Sequence, residues 1–289
     1  MNKKRVLVLG ATGMIGHGVF KQLSRYDELD VFGTRRGETD NSRIRQHVDA
    51  DNFDTIIRAF ASIQPDIIIN CIGIIKQNPD TDDYLTSITV NSQLPHRLSM
   101  ITRAAKARMI QISTDCVFDG KKGYYIETDN PNAEDIYGKT KALGEVVYPP
   151  HCVTLRTSLI GHELKQYFGL VEWFLSQKGK INGFSNAIFS GITVGELARV
   201  IAKIVISNNE MAGLYHLSSN PISKYDLLNL IKNQYNKNIE IEKYEGFAVN
   251  RSLDSSKLRN EYGYEPPTWE ELIKGMHEDY LNDGRYRIY

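Results

Sequence analysis

Residues 5–16 read RVLVLGATGMIG, and this stretch decides the fold. The unbroken apolar run from Val6 to Leu9 predicts a strand buried on both faces. Gly10, Gly13 and Gly16 follow with the spacing G-x-x-G-x-x-G. Residues 14–25 then place Ile15, Val19, Phe20 and Leu23 on one face of a helix. A strand, a glycine turn and a helix in that order make a phosphate cradle. Gly10 permits the tight turn, Gly13 lets the backbone approach a pyrophosphate, and Gly16 lets the helix pack close to the sheet. The helix N-terminus offers free N–H groups and the positive end of its dipole. Thr12, Met14 and Ile15 belong to the same candidate dinucleotide surface. Three ordinary turn glycines would share the spacing; the strand before and the helix after carry the weight.

Outward from this stretch, apolar runs alternate with amphipathic ones. Strands are expected at 30–34, 44–50, 65–73, 108–113 and 152–158, and helices at 51–63, 85–106 and 134–147. Continuous apolar strands separated by helices predict an α/β fold: a doubly wound parallel sheet of the Rossmann type, covered on both faces. Beyond about residue 160 the alternation loosens. Helices are expected at 164–177, 194–205, 223–235 and 269–281, and strands at 213–218 and 240–245. The expected organisation is a dinucleotide-binding domain over 1–160 and a smaller substrate-binding lobe over 161–289, interleaved at their edges.

Composition narrows the function classes. The 289 residues carry 35 Lys plus Arg against 35 Asp plus Glu, so no basic field suggests nucleic acid or a membrane surface. An anionic ligand must be held by a few placed groups. No apolar run approaches the ~18 residues of a membrane span, and no secretory leader is visible, so a cytoplasmic protein is expected. Cys71, Cys116 and Cys152 are odd in number and widely spaced, which argues against a disulfide scaffold or a metal site.

Dinucleotide preference is written at the end of the second strand. NAD-dependent enzymes place a carboxylate there for the ribose 2′-hydroxyl. Here the segment is Gly33-Thr34-Arg35-Arg36, and its two guanidinium groups suit a 2′-phosphate. NADP(H) is favoured, NAD(H) use stays open, and a solvated Arg pair would read the same way. Asp49 and Ala50 close the third strand, with Asp49 placed to reach an adenine edge; Asp51 reads as the N-cap of the next helix. Cys71-Ile72-Gly73 ends the fourth strand and should lie beneath the cofactor.

Tyr137 and Lys141 are four apart in YGKTK, on one face of a helix. A phenol titrates near pH ~10, and a neighbouring ammonium should draw it down toward general acid/base range. Such a pair is common by chance. Ser113-Thr114-Asp115, at a strand end 23 residues upstream of Tyr137, supplies a hydroxyl for developing negative charge, Thr114 by preference.

GATGMIG, STDCVFDGKKGYYIETD and YGKTKALGE together resemble the dTDP-4-dehydrorhamnose reductase branch of the extended short-chain dehydrogenases/reductases. The similarity runs on through LRTSLIGHEL, GLYHLSSNPISKYDLL and RSLDSSKL, with the family's Gly-x-Pro-Thr stretch becoming Gly191-Ile192-Thr193. The resemblance implies NAD(P)H-dependent reduction of a 4-keto group on a nucleotide sugar, with Thr114, Tyr137 and Lys141 as the catalytic trio. It implies Arg251 as a diphosphate contact, Trp173 as a stacking surface or a core residue, and a homodimer. Two departures stand out. Cys116 replaces the usual Tyr, as in bifunctional enzymes that epimerise before reducing; Lys178 or Lys180 would be its acid/base partner. Ile74-Ile75-Lys76-Gln77 also differs from the usual reductase sequence, which leaves the sugar open, with Lys76 and Asp115 as candidate substrate contacts. A non-catalytic NADP-binding regulatory subunit, like the β subunit of methionine adenosyltransferase, is the alternative of another class. An epimerase or dehydratase that recycles bound NAD is a further one, disfavoured by Thr34-Arg35-Arg36.

Overall fold

The computed structural model describes residues 3–75, 83–165, 167–207 and 210–286. In chain order the elements are β1 (Lys4–Leu9), α1 (Met14–Leu23), β2 (Leu29–Thr34), β3 (Ile44–Arg45), α2 (Phe53–Ile63) and β4 (Ile67–Asn70). Next come α3 (Tyr84–Ser87), a π-helical stretch (Ile88–Gln93), α4 (Leu94–Ala104), β5 (Arg108–Thr114), a 3-10 turn (Asp115–Val117), α5 (Ile136–Leu143), β6 (Cys152–Thr157) and β7 (Leu159–Ile160). The remainder is α6 (Leu170–Ser176), β8 (Lys180–Phe189), β9 (Ile192–Thr193), α7 (Val194–Ile206), β10 (Gly213–His216), β11 (Ile222–Ser223), α8 (Lys224–Gln234), β12 (Glu240–Asn250), α9 (Ser256–Tyr262) and α10 (Trp269–Leu281).

Seven strands form one sheet in the order β10-β6-β5-β4-β1-β2-β3, and every neighbouring pair is parallel. The doubly wound expectation therefore holds. Alternation along β1 shows why the strand reads as a solid apolar run. Val6 and Val8 pack with Val19 and Leu23 of α1 and Leu197 and Ile201 of α7. Leu7 and Leu9 face the other way, onto Phe53 and Ile56 of α2 and Leu94 and Leu98 of α4. Strand order reverses between β1 and β4, so a crevice opens at the carboxyl ends of those strands.

Elements from beyond residue 160 complete this unit, among them α9, whose Leu258 joins the same core. β10 pairs with β6 at the sheet edge, and α7 covers one face. β8, β11 and β12 form a three-stranded sheet, β11-β8-β12, beside a separate core that includes Phe174, Phe189, Leu227, Ile231, Trp269 and Ile273. Thr193, from the Gly191-Ile192-Thr193 stretch, caps α7 by accepting from the Glu196 N–H at 3.3 Å. The last described turn folds back onto α1. Asp283, buried, accepts from Lys21 Nζ at 3.0 Å and pairs with His17 Nε2 at 3.1 Å.

Several elements are shorter than their patterns suggest. The strand expected over 44–50 ends at Arg45, because His47 takes a left-handed conformation (φ 57°). The helix expected over 164–177 begins only at Leu170, after Tyr167 (φ 56°) and an extended Gly169. Asn52, not Asp51, occupies the N-cap of α2, and its side chain makes no capping bond there. Among the described residues no helix is long and apolar enough to cross a membrane.

Candidate active site

Two adjoining cavities run along the carboxyl ends of the large sheet. The first, about 500 Å³, is lined by Gly10, Thr12, Gly13, Met14, Ile15, Thr34, Arg35, Arg36, Asp49, Ala50, Cys71, Ile72 and Gly73. Every dinucleotide contact expected from the sequence lies on this wall except Gly16 and the Tyr137–Lys141 pair, which belongs to the second cavity. Gly16 works by close approach. A Cβ there would sit 2.2 Å from the Gly10 carbonyl oxygen, so any side chain would push α1 off the turn. Gly10 itself turns with φ 75°, a left-handed value that suits glycine. Thr34 is buried, and its Oγ1 accepts from Gly10 N at 3.0 Å, so it ties the loop to β2.

These walls fit a dinucleotide with an extra phosphate. Arg35 Nε is buried and has no hydrogen-bond partner, an uncommon state for a guanidinium N–H. An anion beside it would supply the missing acceptor.

The second cavity, about 410 Å³, shares Met14, Ile15, Cys71, Ile72 and Gly73 with the first. It continues past Thr114, Asp115, Cys116, Tyr137 and Lys141 to Phe189, Lys224 and Arg251 of the later chain. β5 delivers Thr114 at its last position, where Oγ1 accepts from Cys116 N at 3.1 Å and caps the 3-10 turn. Asp135 caps α5 by accepting from Gly138 N at 2.8 Å, which sets Tyr137 in the first turn and Lys141 one turn on. The Tyr137 phenol neighbours Thr114, whose hydroxyl donates to Asp115 Oδ1 at 3.2 Å. Lys141 Nζ donates to the Ile112 carbonyl at 2.8 Å and lies beneath Gly73, where a Cβ would stand 3.8 Å from it.

The electrostatics correct one expectation. Burial raises the Tyr137 phenol well above its usual range, and the nearby Cys116 and Asp115 push it the same way. Lys141 is not among the groups that act on the phenol, and burial brings its own pKa down to about 8 against the pull of Glu145 and Cys71. Desolvation is the largest influence on both groups. Burial likewise raises the Cys71 and Cys116 thiols to about 12, with Asp115 adding to the shift at Cys116. Asp115 is itself raised by burial, against the pull of Arg251 and Lys224.

Further residues hold this constellation in place, and the sequence did not single them out. Asn91, buried on the π-helical stretch, accepts from Ile74 N at 2.9 Å and donates to Ile74 O at 3.1 Å and Thr140 Oγ1 at 3.2 Å. It locks the loop after β4 to α5. Glu145 accepts from Ser113 Oγ at 2.7 Å and from Arg156 Nε and Nη2 at 2.7 and 2.6 Å. That buried pair ties β5 to β6 directly behind Thr114.

Other expected residues fall elsewhere. Lys178 and Lys180 are exposed, and Lys180 pairs with Glu240 and Glu242 across the small sheet. Neither lines the cavity that holds Cys116, so the epimerase pair is not assembled from them. Trp173 is 40% exposed on α6, outside both the core and the cavities, because its helix turns the neighbouring Val171 and Phe174 inward instead. Lys76 lies outside the described residues. Arg251 does line the second cavity, anchored by donation from Nε to the Phe118 carbonyl at 2.8 Å. Among the described residues no three His, Cys, Asp or Glu side chains are grouped as metal ligands.

Comparison with known families bears on this arrangement. The family described as RmlD substrate binding domain matches residues 4–282. The chain belongs to the RmlD substrate binding domain family. A dTDP-4-dehydrorhamnose reductase from Aggregatibacter actinomycetemcomitans is 25% identical over 296 residues, 94% of this chain and 98% of the relative. The methionine adenosyltransferase 2 subunit beta of Danio rerio is 27% identical over 246 residues, 81% of this chain and 74% of the relative. The fold resembles that of a dTDP-4-dehydrorhamnose reductase from Bacillus anthracis solved in complex with NADP. That similarity has a TM-score of 0.78 at 23% identity, over 96% of this chain and 99% of the other. This RmlD family member thus carries its Tyr–Lys pair on a fold shared across the family.

Proposed function

We propose that this RmlD family member reduces the 4-keto group of a nucleotide-linked 6-deoxyhexose with NADPH. The observation that carries the reading is that Thr114, Tyr137 and Lys141 line one cavity, which adjoins the cavity bearing the glycine turn. One cavity has the glycine turn and Arg35; the other reaches the later chain. Bound NADPH would supply the hydride. The chain's residues then have three tasks. Tyr137 gives its phenolic proton to the substrate oxygen as charge develops there. Burial favours the neutral phenol, which is the form a reduction requires. Thr114 donates a hydrogen bond to the same oxygen. Lys141, directly beneath Gly73, is placed to hold the ribose next to the nicotinamide. Arg35 would select the 2′-phosphate, and Arg251 would meet the substrate diphosphate.

The test is to incubate the protein with NADPH and dTDP-4-dehydrorhamnose, together with UDP- and GDP-linked 4-keto-6-deoxyhexoses. NADPH should be consumed and a 6-deoxysugar nucleotide formed. Absence of turnover with all of them removes the reading. A purely regulatory role would leave any biological effect intact in Tyr137→Phe, whereas reductase chemistry would not.

A further inference from the structure

The mechanism above leaves Lys224, a cationic side chain of the cleft, without work. Lys224 is the first residue of α8, set at the cavity by Ser223, which caps that helix by accepting from Asp226 N at 3.0 Å. Its Nζ lies over the buried Phe189 ring, 4.0 Å from the centroid. Among the described residues this ammonium has no hydrogen-bond or ion-pair partner. Asp115 and Cys116 lie near enough to act on it electrostatically when ionised. Lys224 is half-buried, and its ammonium lines the cavity with donors that a ligand acceptor can take. The position narrows what that acceptor is. Asp115 and Cys116 directly follow Thr114, so Lys224 lines the same cavity as the hydroxyls assigned to the reacting carbonyl, close to that turn. Arg251 is already available, on the same cavity wall, for phosphate oxygens.

We propose that Lys224 is a specificity-determining residue that donates to an oxygen on the sugar ring of the substrate, and not to its diphosphate. The proposal rests on the nucleotide-sugar reading given above. The ammonium over the Phe189 face fixes the depth at which a ring oxygen must sit. Enclosure brings the Lys224 pKa down to about 8, so it still carries its charge near neutrality.

Calorimetric titration of the NADP-loaded protein with dTDP-glucose and with dTDP alone tests this, and the UDP pair repeats it. The wild type should bind the sugar nucleotide more tightly than the bare diphosphate. In Lys224→Met the dTDP-glucose affinity should fall about 10- to 100-fold, the range of a hydrogen bond to a charged group, while dTDP binds as before. Lys224→Arg should recover part of the loss, and matched melting temperatures would show that the variants are folded. An unchanged sugar preference in Lys224→Met, or equal weakening of both ligands, overturns the assignment. Failure of the wild type to reduce any 4-keto substrate would instead strike at the reading of the site itself.

Discussion

Lys141→Met should make the protein more stable while destroying its chemistry. Burial holds the Lys141 pKa at about 8 against a reference of 10.5. At ~1.4 kcal/mol per pK unit, that gap amounts to about 3 kcal/mol of destabilisation when the group is charged in both states. The sign follows from where each state releases its proton. Below pH 8 folded and unfolded chains both carry the charge, so the full penalty applies. Between pH 8 and 10.5 the folded state has released its proton and the unfolded state has not, so wild-type stability rises with pH. Above 10.5 the penalty is gone. Methionine has similar length and no charge. The Ile112 carbonyl that loses Lys141 still accepts from Gln111 Nε2 at 3.0 Å, so no buried acceptor is orphaned. Urea unfolding of both proteins across this pH range is the assay. The variant should be ahead by up to about 3 kcal/mol at pH 7, with the difference shrinking toward zero at pH 10.5. A less stable variant at pH 7, or a difference that ignores pH, refutes the reasoning.

Tyr137→Phe should lower kcat by about 10²- to 10⁴-fold with NADPH affinity preserved, as steady-state kinetics and fluorescence titration would show; loss of less than tenfold would remove Tyr137 as the proton donor. Gly16→Ala places a methyl 2.2 Å from backbone oxygen, so NADPH binding should weaken by more than about tenfold in the same titration. Arg35→Ser should cost NADPH affinity about 10- to 100-fold and leave NADH nearly untouched if the partnerless Arg35 Nε takes the 2′-phosphate as proposed. Glu145→Ala strands Arg156, itself only 2% exposed, and should destabilise the fold by about 3–5 kcal/mol in a denaturant titration.

The residues legible in the sequence are those whose chemistry is local. Gly10, Gly13 and Gly16 announce themselves because turn, approach and helix contact all fall within seven residues. Tyr137 and Lys141 do so because one helical turn fixes their relation. Lys178 and Lys180 misled because distance along the chain was the only guide, and β8 carries Lys180 onto the open face of the small sheet. Lys224 was invisible for the complementary reason. It reads as the polar start of an amphipathic helix, and only the packing of α8 against β8 and β11 turns it toward Cys116. The direction of the Tyr137 shift was also misjudged, since spacing reports a neighbouring charge but not the desolvation around it.

The place of β10 and α7 in the large sheet has a consequence for biosynthesis. When the ribosome has made β1 through β6, the nascent chain holds six of seven strands, yet β6 lacks its outer neighbour and the face bearing Val6, Val8 and Ile112 lacks part of its cover. Both gaps close only after His216 has cleared the exit tunnel, and α1 is clasped by Asp283 later still. Vectorial folding therefore has to wait. A partial product stalled near residue 200 would present an open strand edge and apolar surface, the features by which chaperones and proteases recognise unfinished chains.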